Sequence, residues 1–150
     1  MIVPLNFPKA PLNLVRRSNT IYVTCLVRKK QVKLTPEEWV RQHVIFYLIE
    51  YKKASPGLIA VEKSLLINGL TRRFDLLVAN REGNTKLLIE CKATDVPLTE
   101  ETLFQLAQYN SVLTSEYVMI TNGLQSLTAQ INHATGAIEL LEDLPIMLEK

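Results

Sequence analysis

The sequence predicts an α/β fold, a central mixed β-sheet of four or five strands flanked by two helices. Three observations carry that expectation. Thr35-Pro36-Glu37-Glu38 opens a stretch whose apolar residues recur at helical spacing. Between residues 58 and 93, β-rich runs are separated by Asn68-Gly69 and by Asn80-Arg81-Glu82-Gly83-Asn84, both with turn composition. After a second helical pattern, Tyr117-Val118-Met119-Ile120-Thr121 is almost continuously apolar, as suits a strand covered on both faces.

Taken in order, the proline-bearing opening up to Ser18 reads as an extension over the surface, with Leu5, Phe7, Leu12 and Leu14 as anchors. Ile21-Tyr22-Val23-Thr24-Cys25 predicts a strand, turned by Arg28-Lys29-Lys30 into a second at 31–34. Thr35 can cap the first helix, Pro36 suits its first position, and Glu38 completes a capping box. That helix is expected to bury Val40, Val44, Tyr47, Leu48 and Tyr51, to leave Glu37, Arg41 and Lys52 wetter, and to stop before Ala54-Ser55-Pro56-Gly57. Strands at 58–67 and 70–79 follow, joined by Asn68-Gly69, and the next hairpin turns about Glu82-Gly83. Pro97 and Thr99 introduce the second helix, with Leu103, Leu106, Ala107 and Asn110 on one stripe and Gln105 and Tyr109 on another; it ends near Leu113. This helix falls between the third and fourth strands of the sheet. Residues 127–132 and 137–141 form a last hairpin about Ala134-Thr135-Gly136, and the tail from Asp143 carries no signal.

A length of 150 residues with 47% hydrophobic content fits one domain, 1–150, with an adequate core and no need of disulfides. A net charge of +2 neither demands nor opposes a nucleic-acid partner. Short basic clusters at Arg16-Arg17, Arg28-Lys29-Lys30 with Lys33, Lys52-Lys53 and Arg72-Arg73 together permit a phosphate-binding face. Cys25 and Cys91 sit in separate apolar runs without metal-ligand spacing, which predicts buried free thiols in a reducing compartment. The opening lacks the pattern of a signal peptide, and residues 117–138, though uncharged, are too polar to span a bilayer. A cytoplasmic location without membrane partners is expected.

The chemistry concentrates on Asp75 and Glu90. A hairpin symmetric about Glu82 and Gly83 sets them opposite each other, and pairing outward from Asn68-Gly69 sets Glu62 on Asp75's other side. Facing carboxylates about 5 Å apart repel by about 3 kcal/mol at an effective dielectric of about 20. Such a row calls for a cation. Lys92 shares a strand face with Glu90, while Ile89, Cys91 and Ala93 share the other. Two hard carboxylates beside an ammonium suit Mg²⁺ or Mn²⁺ and phosphodiester hydrolysis.

Arg73-Phe74-Asp75 followed by Glu90-Cys91-Lys92 resembles the Asp and Glu-x-Lys motif of the PD-(D/E)XK nuclease superfamily. Over residues 32–132, the 36–42 helix, the Asp75 to Lys92 hairpin, Gln105 with Tyr109 and Asn110, and Thr121-Asn122-Gly123 resemble the N-terminal nuclease domain of type I restriction enzyme R subunits. The resemblance implies a restriction-endonuclease-like fold and a DNA nuclease dependent on Mg²⁺ or Mn²⁺, endo- or exonucleolytic, in a restriction-modification setting. It implies metal ligation by Asp75, Glu90, Glu38 and the Cys91 backbone carbonyl, and catalysis by Asp75, Glu90, Lys92 and Gln105. Arg41, Arg73, Gln105 and Tyr109 are the implied nucleic-acid contacts, with Glu62 as an additional acid. Implied partners are DNA, a second copy of the chain, and separate helicase or restriction-modification subunits. Phe74 stands where the motif's name has proline, and the 150 residues do not include the helicase motor that R subunits carry.

Plainer readings stand beside these. The capping box alone accounts for Glu38, Arg41 and Arg73 are equally suited to pairing with the acids, and His43 and His133 lack partners for zinc or a triad. The competing function is a non-catalytic DNA-binding or protein-interaction domain that retains the nuclease fold.

Overall fold

The computed structural model describes residues 2–147, without the side chains at 110–112. It comprises two sheets and two helices. Strands β1 (Leu14–Arg17), β2 (Thr20–Thr24) and β3 (Gln31–Lys33) form an antiparallel three-stranded sheet. Helix α1 (Pro36–Glu50) follows, then a 3₁₀ turn and β4 (Ile59–Ile67), β5 (Leu70–Ala79) and β6 (Thr85–Cys91). Helix α2 (Glu100–Leu113) crosses over to β7 (Tyr117–Thr121), and β8 (Ser126–Ile131) and β9 (Ile138–Leu141) follow. The larger sheet has the order β4-β5-β6-β7-β8-β9, with β6 and β7 parallel and every other pair antiparallel.

The expected mixed sheet and its flanking helices are present, with six strands instead of four or five. The last hairpin adds to β7 through β8 and so continues the sheet. On one side, Val40, Val44, Ile45 and Leu48 of α1 pack with Leu76, Val78, Leu87, Ile89 and Met119. On the other, Leu103, Leu106 and Ala107 of α2 pack with Phe74, Leu77, Leu88, Val118 and Ile120. β7 is thus apolar on both faces because both are covered.

Local expectations were modified where distant partners intervene. The opening segment supplies β1, which pairs with β2 from Leu14↔Val23 to Arg17↔Thr20; four largely exposed residues form a strand because β2 lies beside them. Further upstream, Asn6 donates to the Gly123 carbonyl at 2.7 Å, and Leu5 packs over Gly123 so closely that a Cβ there would meet its side chain at 2.7 Å. The tail also carries structure, since Leu144 and Met147 are buried in the α1-side core and Asp143 pairs with Lys52 at 2.8 Å. Tyr51, expected inside, is exposed at the end of α1 and stacks on Tyr47. Leu103, Leu106 and Ala107 of the α2 stripe are buried; the side chain of Asn110 lies outside the described residues. Cys25 and Cys91 are buried free thiols. Among the described residues no helix is long and apolar enough to cross a membrane.

Candidate active site

The register around Asp75 follows from two turns. Asn68 and Gly69 both adopt positive φ and close β4 onto β5, so that Val61↔Leu76 and Lys63↔Phe74 flank the Glu62–Asp75 position. The β5–β6 loop is one residue tighter than a turn symmetric about Glu82 and Gly83, with Ala79 opposite Thr85 and the Asn80 amide bonded to the Asn84 carbonyl at 2.8 Å. A bulge then places Lys86 between Thr85 and Leu87, restoring Val78↔Leu87 and Leu76↔Ile89. The expected register is therefore reached at the acids because the bulge corrects the loop.

Beyond Leu76↔Ile89 the backbone ladder ends, and the Asp75 carboxylate takes over: its Oδ2 accepts from the Cys91 amide at 2.9 Å. Glu62 has a φ of 54°, a left-handed conformation unusual for a non-glycine residue. At this point the strands change phase: Phe74 packs on the α2 side, whereas Leu76 and Val61 pack on the α1 side. Glu62 and Asp75 both meet Arg41 of α1, while the alternation of Leu88, Ile89 and Cys91 puts Glu90 on the Leu88 side. The three acids form a row by register but do not share one flat face, because Arg41 draws two of them toward α1.

Arg41 is the hub of this arrangement. Its Nε donates to Glu38 Oε2 at 3.0 Å, its Nη2 also to Glu38 and to Glu62 Oε1 at 3.0 Å, and its Nη1 to Asp75 Oδ1 at 3.2 Å. Expected to be wet and on DNA, it is buried and held by three carboxylates. Arg73 pairs with Glu62 at 3.3 Å, and Arg28 with the same residue at 3.2 Å. The Thr35 hydroxyl caps α1 by accepting from the Glu38 amide, but the Glu38 carboxylate turns inward to Arg41 and Gln42 instead of closing a capping box.

The acids differ electrostatically. Burial would raise the Glu38 carboxyl, but hydrogen bonds from Arg41 and Gln42 outweigh it and hold the group below its ordinary value. Asp75 and Glu90 are both raised. For Asp75 burial dominates and Glu62's charge adds, against the Cys91 amide, Arg41 and Lys92; for Glu90 burial is followed by the charge of Asp75, against Lys92 and Arg72. Lys92 Nζ lies 3.4 Å from Glu90 Oε2. Burial, followed by Asp75's charge, raises the Cys91 thiol, which disfavours a reactive thiolate there.

Among the described residues no three His, Cys, Asp or Glu side chains gather as a metal cage. Glu38 and Glu62 are taken up by arginines, leaving Asp75 and Glu90 as the acids whose ionised forms lack full compensation. Two hard carboxylate oxygens, with the Cys91 carbonyl on the same strand end, are chemically suited to a cation such as Mg²⁺, which keeps several of its own waters.

On α2, Thr99 caps the first turn by accepting from the Thr102 amide at 3.2 Å. Gln105 and Tyr109 line a cleft of about 430 Å³ with Ile67, Asn68 and Gln108, between the β4–β5 turn and α2. The Arg72 guanidinium lies 4.1 Å from the centre of the Tyr109 ring.

A family model, type I restriction enzyme R protein N terminus, matches residues 36–145. The chain belongs to this family. Among solved structures, a fragment described as an HsdR subunit of a type I restriction enzyme from Vibrio vulnificus shares the fold, with a TM-score of 0.54 and 21% identity over 76% of this chain. The chain spans 24% of that protein. No curated protein matches it.

Within this R protein N-terminal family member, the match reaches past residue 132 to include the final hairpin, whose β8 packs against α2 through Ala129 and Ile131, and Leu144 of the tail, which is buried on the α1 side. Of the expected site residues, Asp75, Glu90 and Lys92 come together, Glu38 and Glu62 join them only through Arg41, and Gln105 and Tyr109 lie in the α2 cleft. His43 bonds the Trp39 carbonyl and packs on its ring, and His133 bonds the Ser115 carbonyl. Arg72 was not singled out from Arg73. Its alternation with Phe74, which places it on the α2 side with its partner Leu65, was the available signal.

Proposed function

We propose that this restriction-related domain is a Mg²⁺-dependent deoxyribonuclease of the PD-(D/E)XK type. The observation that carries this reading is the pair Asp75 and Glu90, two half-buried carboxylates whose protonated forms are favoured by burial and by a neighbouring acid's charge, beside Lys92. A structural sheet gains nothing from such a pair, whereas a divalent cation neutralises it. Asp75, Glu90 and the Cys91 carbonyl would hold Mg²⁺, which supplies polarisation of a phosphoryl oxygen and a more acidic water. Lys92 orients the attacking water and offsets negative charge as the new P–O bond forms and the bond to the departing sugar oxygen breaks, that oxygen taking a proton. Gln105 and Tyr109 contact DNA from α2, and the working assembly includes the other restriction-modification subunits.

One observation favours a second reading, a DNA-binding or protein-interaction domain without catalysis: Arg41 already pairs with Glu38, Glu62 and Asp75. Incubation of the full chain with single- and double-stranded DNA in Mg²⁺ or Mn²⁺ separates the two. Cleavage lost in both Asp75→Ala and Lys92→Ala is expected for the nuclease. Cleavage that survives both substitutions, or none with any substrate and metal, refutes it.

A further inference from the structure

We propose that Arg72, held against the Tyr109 ring, grips a DNA backbone phosphate beside the Asp75–Glu90 pair; this rests on the nuclease reading. The arginines around the acids are not equivalent. Arg28, Arg41 and Arg73 are each tied to Glu62, and Arg41 to two further carboxylates. For Arg72, no ion pair with a carboxylate is formed among the described residues, and its Nε is buried without a hydrogen-bond acceptor.

A guanidinium so placed is fixed in orientation by the ring and keeps its capacity for an anion. Its planar fork matches two phosphate oxygens, a geometry an ammonium cannot reproduce. Location supplies the second argument. Arg72 is three residues before Asp75 on β5, its charge is felt by Glu90, and Tyr109 belongs to the cleft whose walls carry the amides of Asn68, Gln105 and Gln108. Side-chain amides next to a phosphate-seeking arginine suit a nucleotide, whose base offers donors and acceptors beside its phosphate. The strand between β4's turn and the acids thus provides a grip for the chain of phosphates leading to the cation pair, and Tyr109 serves as the platform for that grip.

The test uses the full chain in a Lys92→Ala background with Mg²⁺ and a short fluorescent DNA duplex, followed by anisotropy across a salt series. Arg72→Ala is expected to weaken binding about tenfold and to lower the slope of log K against log salt by about one. Arg72→Lys should keep the slope while losing part of the affinity, which also guards against a folding defect in the alanine variant. Tyr109→Leu should weaken binding, and the Arg72→Ala/Tyr109→Leu double variant should lose clearly less than the sum of the two single losses. An unchanged slope in Arg72→Ala, or fully additive losses in the double variant, overturns the inference. If the wild-type chain cuts DNA while Arg72→Ala binds like its parent, the Arg72 assignment falls and the nuclease stands. If the wild type neither binds nor cuts, both fall.

Discussion

Replacing Arg41 with methionine removes the donor shared by Glu38, Glu62 and Asp75 while keeping most of the aliphatic volume. The Glu38 side chain is only 4% exposed, so its charge would be stranded in the core, whereas Glu62 and Asp75, at 27% and 28%, retain access to water. Breaking a buried ion pair from one side costs about 3–5 kcal/mol, and half-exposed pairs add well under about 1 kcal/mol each. We therefore expect Arg41→Met to lose about 3 kcal/mol in urea unfolding at neutral pH. Glu38→Gln in the same chain should restore most of it, because a neutral amide can still bond Gln42 and leaves no orphaned charge. The sign with pH is fixed by Glu38. Its folded pKa is lowered, so in the wild type its contribution is complete above the unfolded value and fades as pH falls through the folded one. In Arg41→Met that cation is gone, burial raises the carboxyl, and the deficit should shrink on acidification. A loss below about 1 kcal/mol, or a double variant no more stable than the single, would refute the assignment of Arg41 as the charge hub.

Further outcomes follow from the same geometry. Because Asp75 and Glu90 are raised, their favourable contribution exists below the unfolded pKa and is lost as pH rises through the folded one; Glu90→Gln should raise metal-free stability at neutral pH by about 0.2–1 kcal/mol in thermal melts and abolish any Mn²⁺-induced rise in Tm. Calorimetry should find Mn²⁺ affinity little changed in Glu38→Gln, since its carboxylate is spent on Arg41 and Gln42; a loss as large as that of Glu90→Gln would return Glu38 to the metal shell. Phe74→Ala, which empties a fully buried site under α2, should cost about 3–5 kcal/mol in urea unfolding, and a smaller loss would mean the cleft side of the sheet collapses into the void.

How far the chain could be read before its fold was seen depended on range. The Asn68-Gly69 turn fixes its own register, so Glu62 was placed opposite Asp75 by counting alone. Tyr117 to Thr121 announced a doubly covered strand through composition. Arg41 was misjudged because helical spacing describes a position on α1 but not a partner on β5, and an arginine becomes buried only when carboxylates arrive from elsewhere. The same limit hid β1, the docking of Leu144 and Met147, and the difference between Arg72 and Arg73, adjacent residues sent to opposite sides by strand alternation. Local chemistry identified the acids; what neutralises them was a matter of tertiary structure.

The tight β5–β6 loop and the bulge at Lys86 behave as matched insertions and deletions. Residues added or removed at the tip, around Glu82, leave everything below the bulge where it is. Deleting Lys86 would remove the bulge and leave Ala79↔Thr85 and Val78↔Leu87 as consecutive regular pairs, whereas one residue inserted between Leu87 and Glu90 would slide the acid past Asp75 and exchange the faces that the end of β6 presents to the two helices. Length drift in this hairpin is therefore absorbed at the tip and at the bulge, and it reaches the site only when a residue enters between the bulge and Glu90.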